Sequence, residues 1–311
     1  MNFVSCFAVE SDAKPAALSK AMFKHHQFFD DVFNNDFLTR TPHVDVFTAG
    51  FPCQSFSRAG LQMGLRDDRG IVVLRIIMWI YYKKPKVFIL ENVEGLVTSF
   101  YNVLMLILEL LEGVLLWNGA CAYNVRWRVL NSSQEGGIPH NRPRVFIVGI
   151  RTDVATSPFR WPGPLTCRPL TGFLDGHGAL EGHRRLPGRL PTAPGAARRL
   201  KEVCKRIKDR GLHPLRHHFV ANIGSSKIHF KLGESPCITR SRGGSGGHWV
   251  TSKQRFMTID EILRLQGVQD PSRVPRSLVT DRQLGQIAGN AITVDLLQRV
   301  LRNALEAAGL A

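Results

Sequence analysis

The chain has 311 residues, enough for one or two domains with a sizeable core, which excludes a small scaffold that depends on disulfide or metal staples. Hydrophobic residues make up 44% and charged residues 21%, globular proportions that exclude wholesale disorder and fibrous repeats. Lys and Arg number 41 against 25 Asp and Glu, and the resulting +16 selects polyanionic partners, either nucleic acid or an anionic membrane surface.

In chain order, the continuous apolar runs at 3–9, 44–48, 87–90 and 145–150 read as strands covered on both faces. Helical patterns fall between them, at 13–24, 71–82 and 102–117. This alternation predicts an α/β domain, doubly wound around a mostly parallel sheet, with its chemistry beyond the carboxyl ends of the strands. Those ends carry reactive residue types. The first run ends at Glu10, the second leads into Gly50-Phe51-Pro52-Cys53-Gln54, and the third ends at Glu91-Asn92-Val93. The fourth is approached through Arg142-Pro143-Arg144.

Beyond residue 150 the texture changes. Residues 151–216 hold 14 Lys and Arg against 5 Asp and Glu, and 16 of them are Gly or Pro, which reads as a basic, irregular region. A glycine-rich stretch follows, from Ser241 to Gly247, and helical patterns return at 258–265 and 291–308. The expected division is a catalytic domain over 1–150 completed by 254–311, with a smaller domain at 151–253.

Six scattered cysteines without a C-x-x-C pair point to a reducing compartment, and no metal site is expected. The apolar stretch 103–117 is shorter than the roughly 20 residues of a membrane span, and no basic segment precedes 3–9 as in a signal peptide. A soluble intracellular protein is expected, without a membrane partner.

Each candidate residue has a functional and a structural reading. Cys53 suits a thiolate nucleophile beside Arg58, Arg66 and Arg69, or a small core residue. Glu91 suits a proton donor to a ring nitrogen, or a helix cap or partner of Lys86. Arg142 and Arg144, two apart on an extended backbone, suit carbonyl or phosphate recognition, or lie solvated at a sheet edge. Asn290 suits a cofactor contact or the N-cap of the helix after it.

In combination these segments resemble the DNA cytosine-5 methyltransferase family over nearly the whole chain and in the family's order. The nucleophile motif is Gly50-Phe51-Pro52-Cys53-Gln54-Ser55-Phe56-Ser57, the Glu-Asn-Val motif is Glu91-Asn92-Val93, and His140-Asn141-Arg142-Pro143-Arg144 matches Gln-x-Arg-x-Arg. Stretches like the ninth and tenth motifs lie at 255–268 and 286–294. The resemblance implies a Rossmann-like methyltransferase that uses S-adenosylmethionine to methylate carbon 5 of a flipped-out cytosine in double-stranded DNA, as a monomer on its substrate. Cys53 would attack carbon 6, Glu91 would bind ring nitrogen 3 and the exocyclic amine, and Arg144 would contact the carbonyl oxygen. Arg142 would hold the catalytic loop. Glu10 would bind the ribose hydroxyls and Asp31 the adenine amine, with Asp30 a competitor. Val32, Pro52 and Val72 would line the cofactor pocket, with Asn290 as a further contact.

The resemblance also implies that 151–253 is the target-recognition domain; within it the glycine-rich stretch near Arg240 and Arg242 is the candidate for entering a groove, or else a solvated flexible linker. It puts the protein in the nucleus of a eukaryote or the cytoplasm and nucleoid of a bacterium. Two departures stand out. The chain begins nine residues before Glu10, so the family's glycine loop and first strand are expected to be missing, as in a truncated fragment. His140 stands where the family usually has glutamine. The competing expectations are a transfer RNA cytosine-5 methyltransferase and a catalytically impaired remnant that binds DNA.

Overall fold

The computed structural model describes residues 3–52, 68–176, 190–243 and 247–311, with the side chains of 68–70 left aside. The chain forms two compact units. One comprises Met1–Leu130, Pro143–Gly163 and Leu297–Ala311; the other comprises Asn131–Arg142 and Pro164–Leu296.

The first unit opens with β1 (Phe7–Val9), α1 (Ala13–Met22), β2 (Gln27–Phe29), α2 (Asn35–Thr39) and β3 (Val46–Gly50). It continues through α3 (Asp68–Lys83), β4 (Val87–Val93), α4 (Gly95–Thr98), α5 (Tyr101–Glu112), β5 (Tyr123–Asn131) and β6 (Pro143–Arg151). β1 and β2 form a parallel pair, and a second sheet has the order β3-β4-β6-β5. β3 runs parallel to β4, whereas β4 and β6 are antiparallel, so the sheet is mixed.

Burial explains why β4 is legible in the sequence. Val87, Phe88, Ile89 and Leu90 are all buried, as in a strand covered on both faces. α3 turns Val73, Ile76, Ile77 and Ile80 inward at helical spacing, and its Trp79 stacks on Phe47 at 4.3 Å between ring centroids. The buried Trp79 indole N–H is satisfied by Thr41 Oγ1 at 2.7 Å. α5 is shorter than the 102–117 pattern, ending at Glu112 with Gly113 as its C-cap; Leu115 then bridges to Cys121.

β5 lies outside the predicted strands. Its segment alternates, with Tyr123 and Val125 buried and Asn124 and Arg126 exposed, so a search for continuous apolar runs passes over it. The short β2 lies outside them too.

The second unit contains α6 (Pro194–Lys208), β7 (Phe219–Asn222), β8 (His229–Leu232), α7 (Arg240–Gly243), β9 (His248–Val250), β10 (Arg255–Phe256), α8 (Ile259–Leu265) and α9 (Asp281–Asn290). α10 (Val294–Ala307) follows, its later turns belonging to the first unit. The four strands make an antiparallel sheet in the order β10-β9-β7-β8. α6 lays Ala196, Leu200, Val203 and Ile207 against Phe219, Ala221, Ile223 and Trp249. The reading of 151–216 as irregular therefore fails over α6, whose apolar stripe at i, i+4, i+7 and i+11 sits among closely spaced cations.

α8 starts at a capping box. Thr258 Oγ1 accepts from Glu261 N, and the Glu261 carboxylate accepts from Thr258 N. Arg255 then grips the fully buried Glu261 carboxylate with two hydrogen bonds, of 2.6 and 2.9 Å.

Candidate active site

The parallel register of β3 and β4 sets Gly50 beside Glu91, so the Gly50-Phe51-Pro52 segment leaves the sheet next to Glu91-Asn92. Asn92 is buried and donates from Nδ2 to the Phe51 carbonyl at 3.3 Å, tying that segment to β4. Cys53 follows Pro52 directly in the chain; it lies outside the described residues, as do Arg58, Arg66 and the side chain of Arg69.

Glu91 is 7% exposed and Arg144 9%, and Arg144 Nε approaches Glu91 Oε1 at 3.0 Å. The cation opposite Glu91 is thus Arg144, while Lys86 pairs with Asp45 at 2.8 Å. A carboxylate and a guanidinium out of water satisfy each other, and together they offer adjacent acceptor and donor groups to a planar polar ring.

The carboxyl ends of β1 and β2 form a second acidic edge. Glu10 N donates to Phe29 O at 3.1 Å, and Glu10 Oε1 accepts from Asp12 N at 2.8 Å. Asp31 is exposed and accepts from Phe33 N at 2.9 Å, whereas Asp30 lies 3.8 Å from Lys20. Val32 packs half-buried against the core, and its carbonyl accepts from Arg75 Nε at 2.9 Å. Pro52 and Val72 are also half-buried. Within this unit, Glu10, Asp31, Pro52 and Glu91 all lie at or just beyond the carboxyl ends of parallel strands, as the ligand groups of open α/β sheets do.

The remaining predicted residues belong to the second unit. Asn290 is exposed and is the last residue of α9; the next helix begins at Val294, so Asn290 is not its N-cap. Arg142 is 1% exposed and is not solvated at a sheet edge. Its Nη1 donates to Ile238 O at 2.6 Å, and its Nη2 donates to Gly289 O at 3.0 Å and Ala291 O at 2.7 Å. The carbonyls on either side of Asn290 are therefore clamped by one guanidinium. Gln266 extends the clamp, donating from Nε2 to Ala288 O at 2.6 Å.

Sequence reasoning missed this use of Arg142 and Gln266, whose targets are backbone carbonyls with no residue-type signature. It also missed the buried pair of Asn222 and His248, opposite each other on β7 and β9, with Asn222 Oδ1 and both His248 ring nitrogens lacking an aligned hydrogen bond. Burial pushes the His248 pKa down to about 4; the nearby Cys237 and Pro236 carbonyls oppose the shift and Arg242 adds to it. Among the described residues no group of three or more His, Cys, Asp or Glu is placed to hold a metal ion, and no helix is long and apolar enough to cross a membrane.

The family model for C-5 cytosine-specific DNA methylases matches residues 1–306. The chain is 30% identical over 313 residues to the type II methyltransferase M.Bsp6I of Bacillus sp. (strain RFL6), covering 97% of this chain and 91% of that one. It is likewise 30% identical over 294 residues to M.NgoBI of Neisseria gonorrhoeae, covering 94% and 83%. The solved structure of the Entamoeba histolytica methyltransferase EhMeth superposes with a TM-score of 0.62 at 14% identity, over 96% of this chain and 89% of that one, a likeness of fold. With a family model spanning almost all of its length and relatives matched nearly end to end, this chain belongs to the C-5 cytosine-specific DNA methylase family.

Proposed function

We propose that the chain transfers a methyl group from S-adenosylmethionine to carbon 5 of a cytosine in double-stranded DNA, through a covalent adduct on Cys53. The observation that carries this reading is the convergence at one strand end: Gly50, three residues before Cys53, is in register with Glu91, and Glu91 is paired with Arg144.

In this mechanism the Cys53 thiolate adds to carbon 6 of the ring, and the electron pair displaced toward carbon 5 makes that atom the nucleophile. S-adenosylmethionine, when bound, supplies an electrophilic methyl group. Glu91, carrying a proton in the complex with the base, donates through it to ring nitrogen 3 while its other oxygen accepts from the exocyclic amine, stabilising the negative charge that builds on the ring as the sulfur adds, and Arg144 holds the carbonyl oxygen. Loss of the carbon 5 proton then expels the thiolate and restores the aromatic ring. Because the sulfur cannot reach carbon 6 inside a stacked duplex, the nucleotide swings out, at a cost of a few kcal/mol. Cationic contacts from residues 151–253 to phosphates offset that cost, and we assign this segment to target recognition.

The residues at the acidic edge fit the methyl donor in chemistry. Glu10 suits the ribose hydroxyls and Asp31 the adenine amine, both being carboxylates at the ends of adjacent parallel strands. Val32, Pro52 and Val72 offer half-buried apolar surface to the adenine ring.

The test is incubation with duplex DNA carrying 5-fluorocytosine, which cannot lose a proton from carbon 5 and so traps the adduct. The expected result is a denaturation-resistant protein–DNA complex that requires S-adenosylmethionine and disappears in Cys53→Ala. An adduct that survives in Cys53→Ala would overturn the nucleophile assignment, and labelling of transfer RNA but not DNA would overturn the substrate.

A further inference from the structure

We infer that His140 is a positioning residue for the nucleic-acid-contacting segment 239–243, acting as a neutral imidazole locked in one tautomer. The inference rests on the reading of Arg240 and Arg242 as DNA contacts. His140 is completely buried, on the segment between β5 and β6. Its Nε2 lies 3.0 Å from the Ile238 backbone nitrogen and its Nδ1 lies 3.1 Å from the Leu265 carbonyl oxygen. A backbone N–H can only donate and a carbonyl can only accept. Nε2 therefore carries no proton and Nδ1 carries one.

Both ends of this bridge matter. Leu265 is the last residue of α8, and its carbonyl is one of those a helix leaves without an internal partner, so the Nδ1–H satisfies a helix end. At the other end, Ile238 has both backbone polar groups fixed, its N–H by His140 and its carbonyl by Arg142 Nη1 at 2.6 Å. The chain leaving Ile238 has little freedom. A Cβ on Gly289 would fall 2.4 Å from both Thr239 C and Arg240 N, and a Cβ on Gly243 would fall 1.9 Å from Gly285 O. The α7 backbone thus lies directly on α9, with Arg240 exposed and Arg242 half-exposed beyond it.

Glutamine at position 140 can reproduce the pattern, with Oε1 accepting from Ile238 and Nε2 donating to Leu265, whereas leucine leaves both groups buried and unpaired. The test uses the full chain and a long unmethylated duplex of random sequence, with methyl incorporation as the readout. His140→Leu is expected to raise KM for DNA about ten-fold, the loss typical of unpaired buried groups, while kcat at saturating DNA changes less than about two-fold. His140→Gln is expected to restore KM to within about three-fold of the parent. The double variant Arg240→Ala/Arg242→Ala should raise KM by at least as much as His140→Leu. If it does not, the reading of 239–243 as a DNA contact fails. If it does, and KM is unchanged in His140→Leu or not rescued in His140→Gln, the positioning role fails. Should His140→Leu not fold, nitrogen-15 NMR of the parent decides, since imidazole shifts of any form other than neutral Nδ1–H overturn the lock.

Discussion

Glu91 and Arg144 meet on one face of the β4–β6 ladder although they are not opposite in register: Glu91 pairs with Phe146, and Arg144 pairs with Val93. They are diagonal neighbours two residues apart, a spacing that only long side chains close, and the guanidinium does so with Nε 3.0 Å from Oε1. Glu91→Ala leaves the Arg144 charge buried without this counterion, and a stability loss of about 3–5 kcal/mol is expected in urea titrations at pH 7. Glu91→Gln keeps the shape and a neutral acceptor for the Arg144 guanidinium but not the charge, so a smaller stability loss than in Glu91→Ala is expected while methyl transfer falls at least about 100-fold. Wild-type turnover in Glu91→Gln would remove the acid from the mechanism.

The clamp around Asn290 makes a separate prediction. Arg142 reaches three backbone carbonyls at 2.6–3.0 Å, and a lysine ammonium, as a compact point charge, does not span the same fork. Arg142→Lys is expected to lose about 2–3 kcal/mol of stability and to weaken S-adenosylmethionine binding, measured by denaturation and by calorimetry. Unchanged stability would show that the carbonyls find other partners.

Gly243 faces Gly285 backbone to backbone, with the carbonyl oxygen 1.9 Å from where a Cβ would sit. Neither side of that contact is a flexible side chain, so Gly243→Ala must push α7 and α9 apart. The expected cost is about 1–3 kcal/mol, with a rise in KM for DNA. A fully stable variant with parental KM would mean that α7 is not held by this contact.

His248 supplies a pH dependence with a definite sign. Its folded pKa of about 4 lies below its ordinary value of 6.5, so between these values the unfolded chain binds the proton that the folded chain refuses. Its contribution is complete above pH 6.5 and is lost as the pH falls towards 4, to a limit of about 3 kcal/mol. Urea midpoints measured at pH 7 and pH 5 should differ by less in His248→Gln than in the parent. An equal drop in both proteins would assign the acid sensitivity to other groups.

On α6, the exposed Arg198, Lys201, Lys205 and Lys208 follow one another at i, i+3, i+7 and i+10 along one face, while Arg206 is paired with Glu202 at 2.7 Å. If this face meets phosphates, replacing Lys201, Lys205 and Lys208 with alanine should reduce the slope of log affinity against log salt by about 2–3. An unchanged slope would make the stripe a solvated surface.

Much of the fold is legible in the residues alone. The continuous run at Val87 to Leu90 reads as a strand covered on both sides, because it is too short for a buried helix and all four of its apolar side chains are buried. The motif residues Glu91, Arg142 and Arg144 are legible as residue types, and family membership follows from their order. β5 and α6 are obscured for opposite reasons. β5 alternates, as a strand with unlike faces does, and α6 hides its apolar stripe among cations.

The chain by itself determined which groups are available: a cysteine after a strand, acids at the ends of others, and two arginines ahead of a fourth. Tertiary structure alone decided which of them meet. Arg142 finds its carbonyls 96, 147 and 149 residues away, and His140 joins Ile238 to Leu265 across 98 and 125 residues. Contacts of that range leave no periodicity to read. They exist because a buried donor must find an acceptor among whatever backbone the fold brings within about 3 Å, and only the packed chain defines that neighbourhood.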